Sequence, residues 1–184
     1  MQVTGSAYLE SVRWADALQD AGRLGEVALA RLLGPGVLLV GTMRADGGAR
    51  ISPCEPFGWD GELWLPMLQG SHKAHDLRRD ARVLLHSVVV DRDGVGGELK
   101  LRGRAVEEHG VDRRAAVCAA VGAALPWSPD PGRVDLFAVD VGSLAHVEYI
   151  DGDQHVALWP EMRRFVRRIT SATSVGAPEP LSYD

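Results

Sequence analysis

Short apolar segments separated by glycine and aspartate turns are the feature that most constrains how this 184-residue chain folds. Residues 37–43 are an apolar run of strand length, and Asp46-Gly47-Gly48 is typical of a tight hairpin turn. Residues 49–57 and 62–68 predict two more strands, with Trp59-Asp60-Gly61 as the turn between them. Because tight turns join antiparallel neighbours, the pattern predicts a three-stranded antiparallel meander.

The rest of the chain continues with strand signals and turns. Further strands are predicted over residues 81–91, 98–108, 133–141, 144–149 and 155–159. The connection over residues 91–97 and the Asp151-Gly152-Asp153 turn have the composition of loops between neighbouring strands. The last three segments are counted as one final pair of strands, because 144–149 alternates less cleanly, so the sequence predicts six or seven strands joined mostly by tight turns.

Helical segments flank these strands. Apolar spacing predicts two helices within residues 6–33, broken near Gly22 and Gly25. Further helices are predicted from Ser71 to about Arg79, over residues 111–125 before Pro126, and from Pro160 through Ile169. The serine-, proline- and glycine-containing tail from Thr170 onward is expected to be mobile.

The combined pattern predicts a mainly β protein with flanking helices, built as a small closed or split barrel. One domain over residues 1–184 is expected, with a helical segment at 1–34, the barrel at 36–159, and a C-terminal helix and tail at 160–184. A doubly wound parallel sheet is not expected, because the sequence has neither a Gly-x-Gly-x-x-Gly nor a Gly-x-x-x-x-Gly-Lys loop.

Charge and composition limit the partners. The net charge is −5 with both signs interspersed, so no basic face for nucleic acid is predicted. Residues 1–20 lack the pattern of a signal peptide, and no run is long enough to cross a membrane, so a cytoplasmic protein is expected. Cys54 and Cys118 are interpreted as reduced thiols, and Cys54 as a packed strand residue. The six histidines lack the spacing of a metal site, and none is predicted.

The segment from Gly70 to Leu77 places a hydroxyl cap, an imidazole and a lysine at a predicted helix start. Such a start has unpaired backbone N–H groups and favours an anion. The chain has eighteen arginines and only two lysines, Lys73 and Lys100, so Lys73 is distinctive here. From the residues alone, a phosphate seat and an ordinary surface helix start both remain open.

Several degenerate motifs occur in order between Gly36 and Glu107. They are Leu39-Val40-Gly41-Thr42, Ala49-Arg50-Ile51-Ser52-Pro53, Gly61-Glu62-Leu63-Trp64-Leu65, Gly70-Ser71-His72-Lys73-Ala74, Leu77-Arg78-Arg79-Asp80-Ala81-Arg82-Val83 and Leu99-Lys100-Leu101-Arg102-Gly103-Arg104-Ala105. In this order the chain resembles the pyridoxamine 5'-phosphate oxidase-like, FMN-binding split-barrel superfamily. The resemblance implies a six- to seven-stranded antiparallel split β-barrel, and a homodimer with the cofactor at the subunit interface.

The resemblance also implies a set of FMN contacts. Arg50 corresponds to a phosphate ligand, and the following backbone to a segment along the flavin ring. Pro66 and Met67 correspond to residues beside the ring or ribityl chain, and Ser71 with Lys73 to a phosphate-holding pair. A guanidinium, an ammonium and a helix N-terminus together suit a phosphate dianion. The predicted cofactor-binding residues are Arg50, Ile51, Ser52, Pro53, Pro66, Met67, Ser71, His72 and Lys73.

Departures from the B6 oxidases argue against pyridoxamine phosphate as the substrate. His72 stands where those enzymes have arginine, Met67 where they have threonine, and Glu98 lies near a position that is glutamine in them. Their C-terminal Arg-x-His-Asp-Arg motif has no counterpart in residues 162–168, which contain neither histidine nor aspartate. The chain is therefore not expected to be a true pyridoxamine phosphate oxidase.

These observations predict an FMN-dependent oxidoreductase that transfers a hydride between flavin and a small organic substrate. No catalytic acid or base is assigned. A deazaflavin (F420)-dependent reductase and a non-catalytic flavin- or haem-binding protein are the alternatives. Trp159 and the arginines between positions 163 and 168 are open as cofactor or substrate contacts; a core or interface tryptophan and the solvated face of a helix are the preferred interpretations.

Overall fold

The structure is a computed structural model that describes residues 12–89 and 96–182. Its helices are α1 (Trp14–Ala21), α2 (Arg23–Leu33), α3 (His72–Arg79) and α4 (Val111–Ala124). The strands of the first half are β1 (Leu38–Met43), β2 (Ala49–Cys54), β3 (Phe57–Trp59), β4 (Glu62–Leu68), β5 (Arg82–Ser87) and β6 (Glu98–Glu107). Those of the second half are β7 (Val134–Ile150), β8 (Asp153–Trp159), β9 (Arg163–Arg167), β10 (Ile169–Ser171), β11 (Ser174–Val175) and β12 (Glu179–Pro180).

One large antiparallel sheet dominates the described residues. It has ten strands in the order β12-β9-β8-β7-β6-β5-β1-β2, with β4 attached to β7 and β3 to β4. The long strand β7 changes partners along its length, pairing with β4 near its start, β6 through its middle and β8 near its end. The predicted mainly β fold with flanking helices is confirmed.

The main core lies between the sheet and the helices. Alternate residues of β7, including Phe137, Val139 and Val141, are buried, as the period of two in a strand requires. Helices α1 and α2 pack on this core, α1 through Trp14 and α2 through Leu32. The predicted break between these helices is at Gly22, whose φ is 55°. The predicted helical residues 6–11 lie outside the described residues.

The predicted three-stranded meander is wrong in its pairing. The strand after the first hairpin ends at Cys54, and Phe57 begins the separate strand β3. Pro56 lies between them and has no N–H to donate to a ladder. Strand β2 pairs with β1, whereas β4 pairs with β3 and β7. Strand β2 is therefore an edge of the sheet.

Residues 133–141 and 144–149, predicted as two strands, belong to the single strand β7. The register on β6 shifts between Arg102, opposite Ser143, and Gly103, opposite Val141, which leaves Gly142 as an extra residue. One extra residue in one strand is a β-bulge, which bends the strand without ending it. The sequence feature interpreted as a break is this bulge. The strand predicted at 81–91 is shorter, ending at Ser87, and residues 90–95 are not described.

The predicted C-terminal helix at 160–169 is also wrong. Residues 160–162 form a turn, and Arg163–Arg167 form β9, which pairs with β8. Alternation explains this outcome, because Val166 faces the core while its neighbours are partly or fully exposed. The tail predicted to be mobile instead contains β10 and β11, which pair with each other, and β12, which pairs with β9. No described helix is long and apolar enough to cross a membrane.

Candidate functional site

The start of α3 is built as predicted, but its cap is left open. Ser71 has the extended backbone of an N-cap residue, with φ −62° and ψ 151°. Its side chain makes no capping hydrogen bond, and Oγ is a buried atom without a partner among the described residues. Buried hydroxyls are normally hydrogen-bonded, so this one is available to a ligand. The first-turn N–H groups of α3 are likewise not capped by Ser71.

Lys73 lies beside this start. Its Nζ donates to the carbonyl oxygen of Pro53 at 2.6 Å, which places the ammonium over the end of β2. Within the described part of the chain it pairs with no carboxylate, whereas Lys100 forms a salt bridge with Glu98. The charge of Lys73 is therefore not neutralised by the fold, although that of Lys100 is.

A cleft of about 540 Å³ opens next to Lys73. Of the predicted cofactor residues, Pro53, Pro66, Met67 and Lys73 line it. The cleft is also lined by residues of the connection between α4 and β7 that were not predicted from the sequence: Trp127, Pro129, Asp130 and Arg133. The volume lies in the range of small-molecule sites, and the lining combines apolar surfaces with a few charged groups.

Five predicted residues do not line this cleft: Arg50, Ile51, Ser52, Ser71 and His72. The Ile51 side chain is on the outer face of β2 and is 72 % exposed. His72 is exposed at the first position of α3. The structure therefore divides the predicted set between the cleft, the uncapped helix start and the outer surface.

Arg50 is held by a residue that sequence reasoning missed. Its Nε donates to Oδ2 of the buried Asp76 at 2.7 Å. Thr42 Oγ1 donates to the same oxygen at 2.9 Å, and Arg79 donates to Oδ1 at 3.2 Å. Burial raises the pKa of Asp76, but the hydrogen bonds from Arg50, Thr42 and Arg79 outweigh it, so the pKa lies below its ordinary value. Asp76 is thus a buried carboxylate that stays ionised.

A second ionic cluster ties α3 to strands β6 and β7. Arg78 donates to Asp135 at 2.7 Å and forms a two-point contact with Glu107. The other Asp135 oxygen accepts the Gly70 N–H at 2.8 Å, immediately before the helix start. Burial raises the pKa of Asp135, and bonds from Arg78 and Gly70 lower it by more, so the carboxylate remains ionised. The segment that presents Ser71 is anchored by this cluster.

Cys54 lines the cleft but is not a reactive thiol. The residue is 5 % exposed, and its Sγ donates to the carbonyl oxygen of Pro66 at 3.4 Å. Burial raises its pKa to about 11; the Lys73 ammonium opposes this shift and the Glu55 carboxylate adds to it, both by smaller amounts. The thiol is therefore neutral near pH 7, and the prediction of a packed strand cysteine is confirmed.

The remaining candidates have structural roles or fall outside the cleft. Trp159 is 4 % exposed, and its indole N–H donates to Asp20 at 2.7 Å, which confirms the preferred interpretation of a core tryptophan. The described residues contain no group of histidine, cysteine or carboxylate side chains suited to a metal ion. One signal pointed to Asp76: it is the only acidic residue of α3, among five basic or imidazole side chains.

No family model matches the sequence, and neither does any curated protein. Solved structures do match its fold. The structure of a putative pyridoxamine 5'-phosphate oxidase from Listeria innocua aligns with a TM-score of 0.55 and 13 % sequence identity, over 66 % of this chain and 95 % of that protein. A general stress protein 26-related protein of the pyridoxinephosphate oxidase family from Clostridium acetobutylicum aligns with a TM-score of 0.54 and 16 % sequence identity, over 80 % of this chain and 98 % of that protein. An F420 reductase aligns with a TM-score of 0.50 and 20 % sequence identity, over 63 % of this chain and 94 % of that protein.

Proposed function

We propose that this protein, whose fold is that of the pyridoxamine 5'-phosphate oxidase-like split barrels, is an FMN-binding oxidoreductase acting on a small organic substrate. The observation that carries the proposal is the uncapped start of α3. There a buried Ser71 hydroxyl without a partner lies two residues before Lys73, which no described carboxylate neutralises and which borders the cleft.

The residues present fit a phosphate group. The first turn of a helix offers unpaired N–H donors and the positive end of its dipole. Ser71 Oγ supplies a further donor and Lys73 a full positive charge. Hydrogen bonds to a charged group each contribute about 1.5–3 kcal/mol, and a phosphate has enough acceptor oxygens to use several of them. An anion here would also satisfy the one hydroxyl that the described fold leaves unpaired at this helix.

The cleft fits a flat, mostly apolar ring beside that phosphate. Pro53 and Pro66 offer rigid apolar surfaces, Met67 an adaptable one, and Trp127 an aromatic wall. When bound, FMN supplies hydride chemistry that side chains cannot perform. The chain orients the ring, excludes water and binds the substrate, and it needs no acid or base for this. The neutral Cys54 thiol takes no part.

We also propose that a second copy of the chain covers the outer face of β2, β1 and β5. Gly41 pairs with Ile51 on one side and Leu84 on the other, so these residues form one row across three strands. Ile51 is 72 % and Leu84 39 % exposed. Contiguous exposed apolar surface marks an interface, and a twofold pairing would close it. Sedimentation should show a dimer that Ile51→Asp shifts toward monomer, while Val111→Asp, at a 79 % exposed position outside this row and outside the cleft, leaves it intact.

An F420-dependent reductase is the second candidate. The similarity to an F420 reductase structure favours it, as does Arg133, which lines the same cleft as Lys73 and offers a second cation for a longer anionic cofactor. A haem-binding role has less support, because no histidine is among the described residues that line the cleft.

Identification of the ligand that co-purifies, by absorbance and mass, tests the proposal. We expect a flavin spectrum and the mass of FMN. Bleaching by a nicotinamide reductant and recovery in air would support an oxidoreductase over a storage protein. A deazaflavin mass would move the assignment to F420, and a Soret band without flavin would contradict both.

A further inference from the structure

Asp76 lies between the proposed phosphate seat and the barrel. The residue is 4 % exposed, and both of its oxygens accept hydrogen bonds. The donors come from three elements: Thr42 on β1, Arg50 on β2 and Arg79 on α3 itself. A carboxylate held at this many points has a fixed position, and it fixes the groups that are bound to it.

Asp76 occupies only one edge of Arg50. A guanidinium has five N–H donors in a planar fork, and the contact with Asp76 uses the single Nε–H. In the described parts of the chain neither Nη nitrogen of Arg50 has a hydrogen-bond partner, and the side chain is 22 % exposed. Four donors of the fork are therefore free while its orientation is set.

Helix geometry places the Asp76 carboxylate, and with it the bound Arg50, near the start of α3. Asp76 follows Lys73 by three residues, which is a rise of about 4.5 Å along the axis. Helical side chains tilt toward the N-terminus, so the carboxylate of Asp76 covers the preceding turn, where His72 and Lys73 lie. Arg50, bound to that carboxylate, is thereby held within about one helical turn of the proposed phosphate seat.

We propose that Asp76 is a positioning residue, which holds Arg50 by its Nε edge so that the free Nη edge contacts the FMN phosphate. The inference rests on the proposed function. It predicts a change in FMN affinity for Asp76→Asn that is opposite in sign to the change that simple electrostatics predicts. A carboxylate repels a nearby dianion, so charge alone predicts that Asp76→Asn increases FMN affinity. Positioning predicts a decrease, because a released guanidinium loses side-chain entropy when it binds.

The test compares dissociation constants for FMN and riboflavin, which differ by the phosphate, measured by quenching of flavin fluorescence. We expect Asp76→Asn to weaken FMN binding about tenfold and riboflavin binding less than twofold, the size of one charged hydrogen bond. Asp80→Asn makes the same substitution at the C-cap of α3, where the carboxylate pairs with Arg82, and it should change neither constant.

A second variant keeps the test decisive if Asp76→Asn does not fold. Arg50→Lys retains the charge but has one nitrogen, which cannot hold Asp76 and the phosphate as a two-edged fork does. It should lose as much preference for FMN over riboflavin as Arg50→Ala does. The double variant Asp76→Asn/Arg50→Ala should bind FMN no more weakly than Arg50→Ala alone, because Asp76 acts through Arg50.

Three results would overturn the inference: FMN affinity that is unchanged or higher in Asp76→Asn, an FMN preference in Arg50→Lys equal to wild type, or parallel losses of FMN and riboflavin affinity. If Lys73→Ala lowers the FMN preference while the Arg50 and Asp76 variants do not, only this inference fails. If the wild-type protein does not prefer FMN over riboflavin, the proposed phosphate seat fails and the inference fails with it.

Discussion

The two turns of α3 carry similar basic residues but are held in opposite ways. In the first turn, Ser71 Oγ has no partner among the described residues, and Lys73 contacts only a backbone carbonyl. In the second turn, Asp76, Arg78 and Arg79 are all in ion pairs with the barrel or with each other. The comparison teaches that charge in a sequence does not reveal function. The charges that the fold leaves uncompensated are the ones available to a ligand.

Removal of Arg78 should produce the largest effect, and on stability. Arg78→Ala leaves the carboxylates of Asp135 and Glu107 without their cation and loosens the anchor of Gly70. Loss of one partner from a buried pair costs about 3 kcal/mol. Urea denaturation should show this decrease in the free energy of unfolding. Arg168→Ala, which breaks exposed pairs, should destabilise the protein much less. Equal effects of the two variants would contradict the role of Arg78 in anchoring the second turn of α3 to the sheet.

Acid should remove stability that the carboxylates Asp76 and Asp135 contribute through ion pairs that involve the second turn. The pKa values of Asp76 and Asp135 are lower in the folded protein than in the unfolded chain. The stability they contribute is therefore complete above their unfolded pKa of about 4 and is lost as pH falls through the folded values. Urea midpoints measured from pH 7 to pH 3 should fall below about pH 4. Asp76→Asn should be less stable at pH 7 and lose less on acidification; an identical pH dependence would exclude this contribution.

Ser71→Ala, in the first turn of α3, should have the smallest effect on stability. We expect it not to lower the unfolding free energy, unlike the substitutions in the second turn. Removal of a buried hydroxyl without a partner leaves the unfolding free energy unchanged or raises it by about 0.5 kcal/mol, while FMN binding weakens. Thr42→Ala removes a hydroxyl that is bonded to Asp76, so it should destabilise the protein. A loss of stability in Ser71→Ala would show that its hydroxyl has a structural partner.

Local features of the fold were predictable from the sequence. The Asp46 turn is set by its own side chain, which accepts the Gly48 N–H at 2.8 Å, and the strand at Glu62–Leu68 has the predicted bounds. The pairing of β4 with β7 was not predictable, because it joins distant segments and no local pattern encodes it. Proline is common at the first position of a helix, which is why Pro160 was predicted to begin one. The residues that follow it instead form β9, because they pair with β8.

The candidate site divides along the same line. Ser71 and Lys73 could be proposed from residue type and position, because a helix start is a local feature. Asp76 and Arg133 could not, since their relevance depends on what the fold brings to them: Arg50 from β2 in one case and the cleft in the other. Arg50 was predicted as a phosphate ligand from the resemblance, and that role stays a prediction; the partner that the structure gives it is the Asp76 carboxylate, which the quoted motifs do not include.

The two lysines of the chain provide the most direct test of the phosphate seat. FMN and riboflavin affinities should be measured for wild type, Lys73→Ala and Lys100→Ala. Lys73 lies beside the cleft and pairs with no carboxylate among the described residues, whereas Lys100 is bound to Glu98. We predict that Lys73→Ala lowers the preference for FMN about tenfold with little change in unfolding free energy, and that Lys100→Ala leaves the preference unchanged. An equal FMN preference in wild type and both variants would contradict a phosphate site at the start of α3.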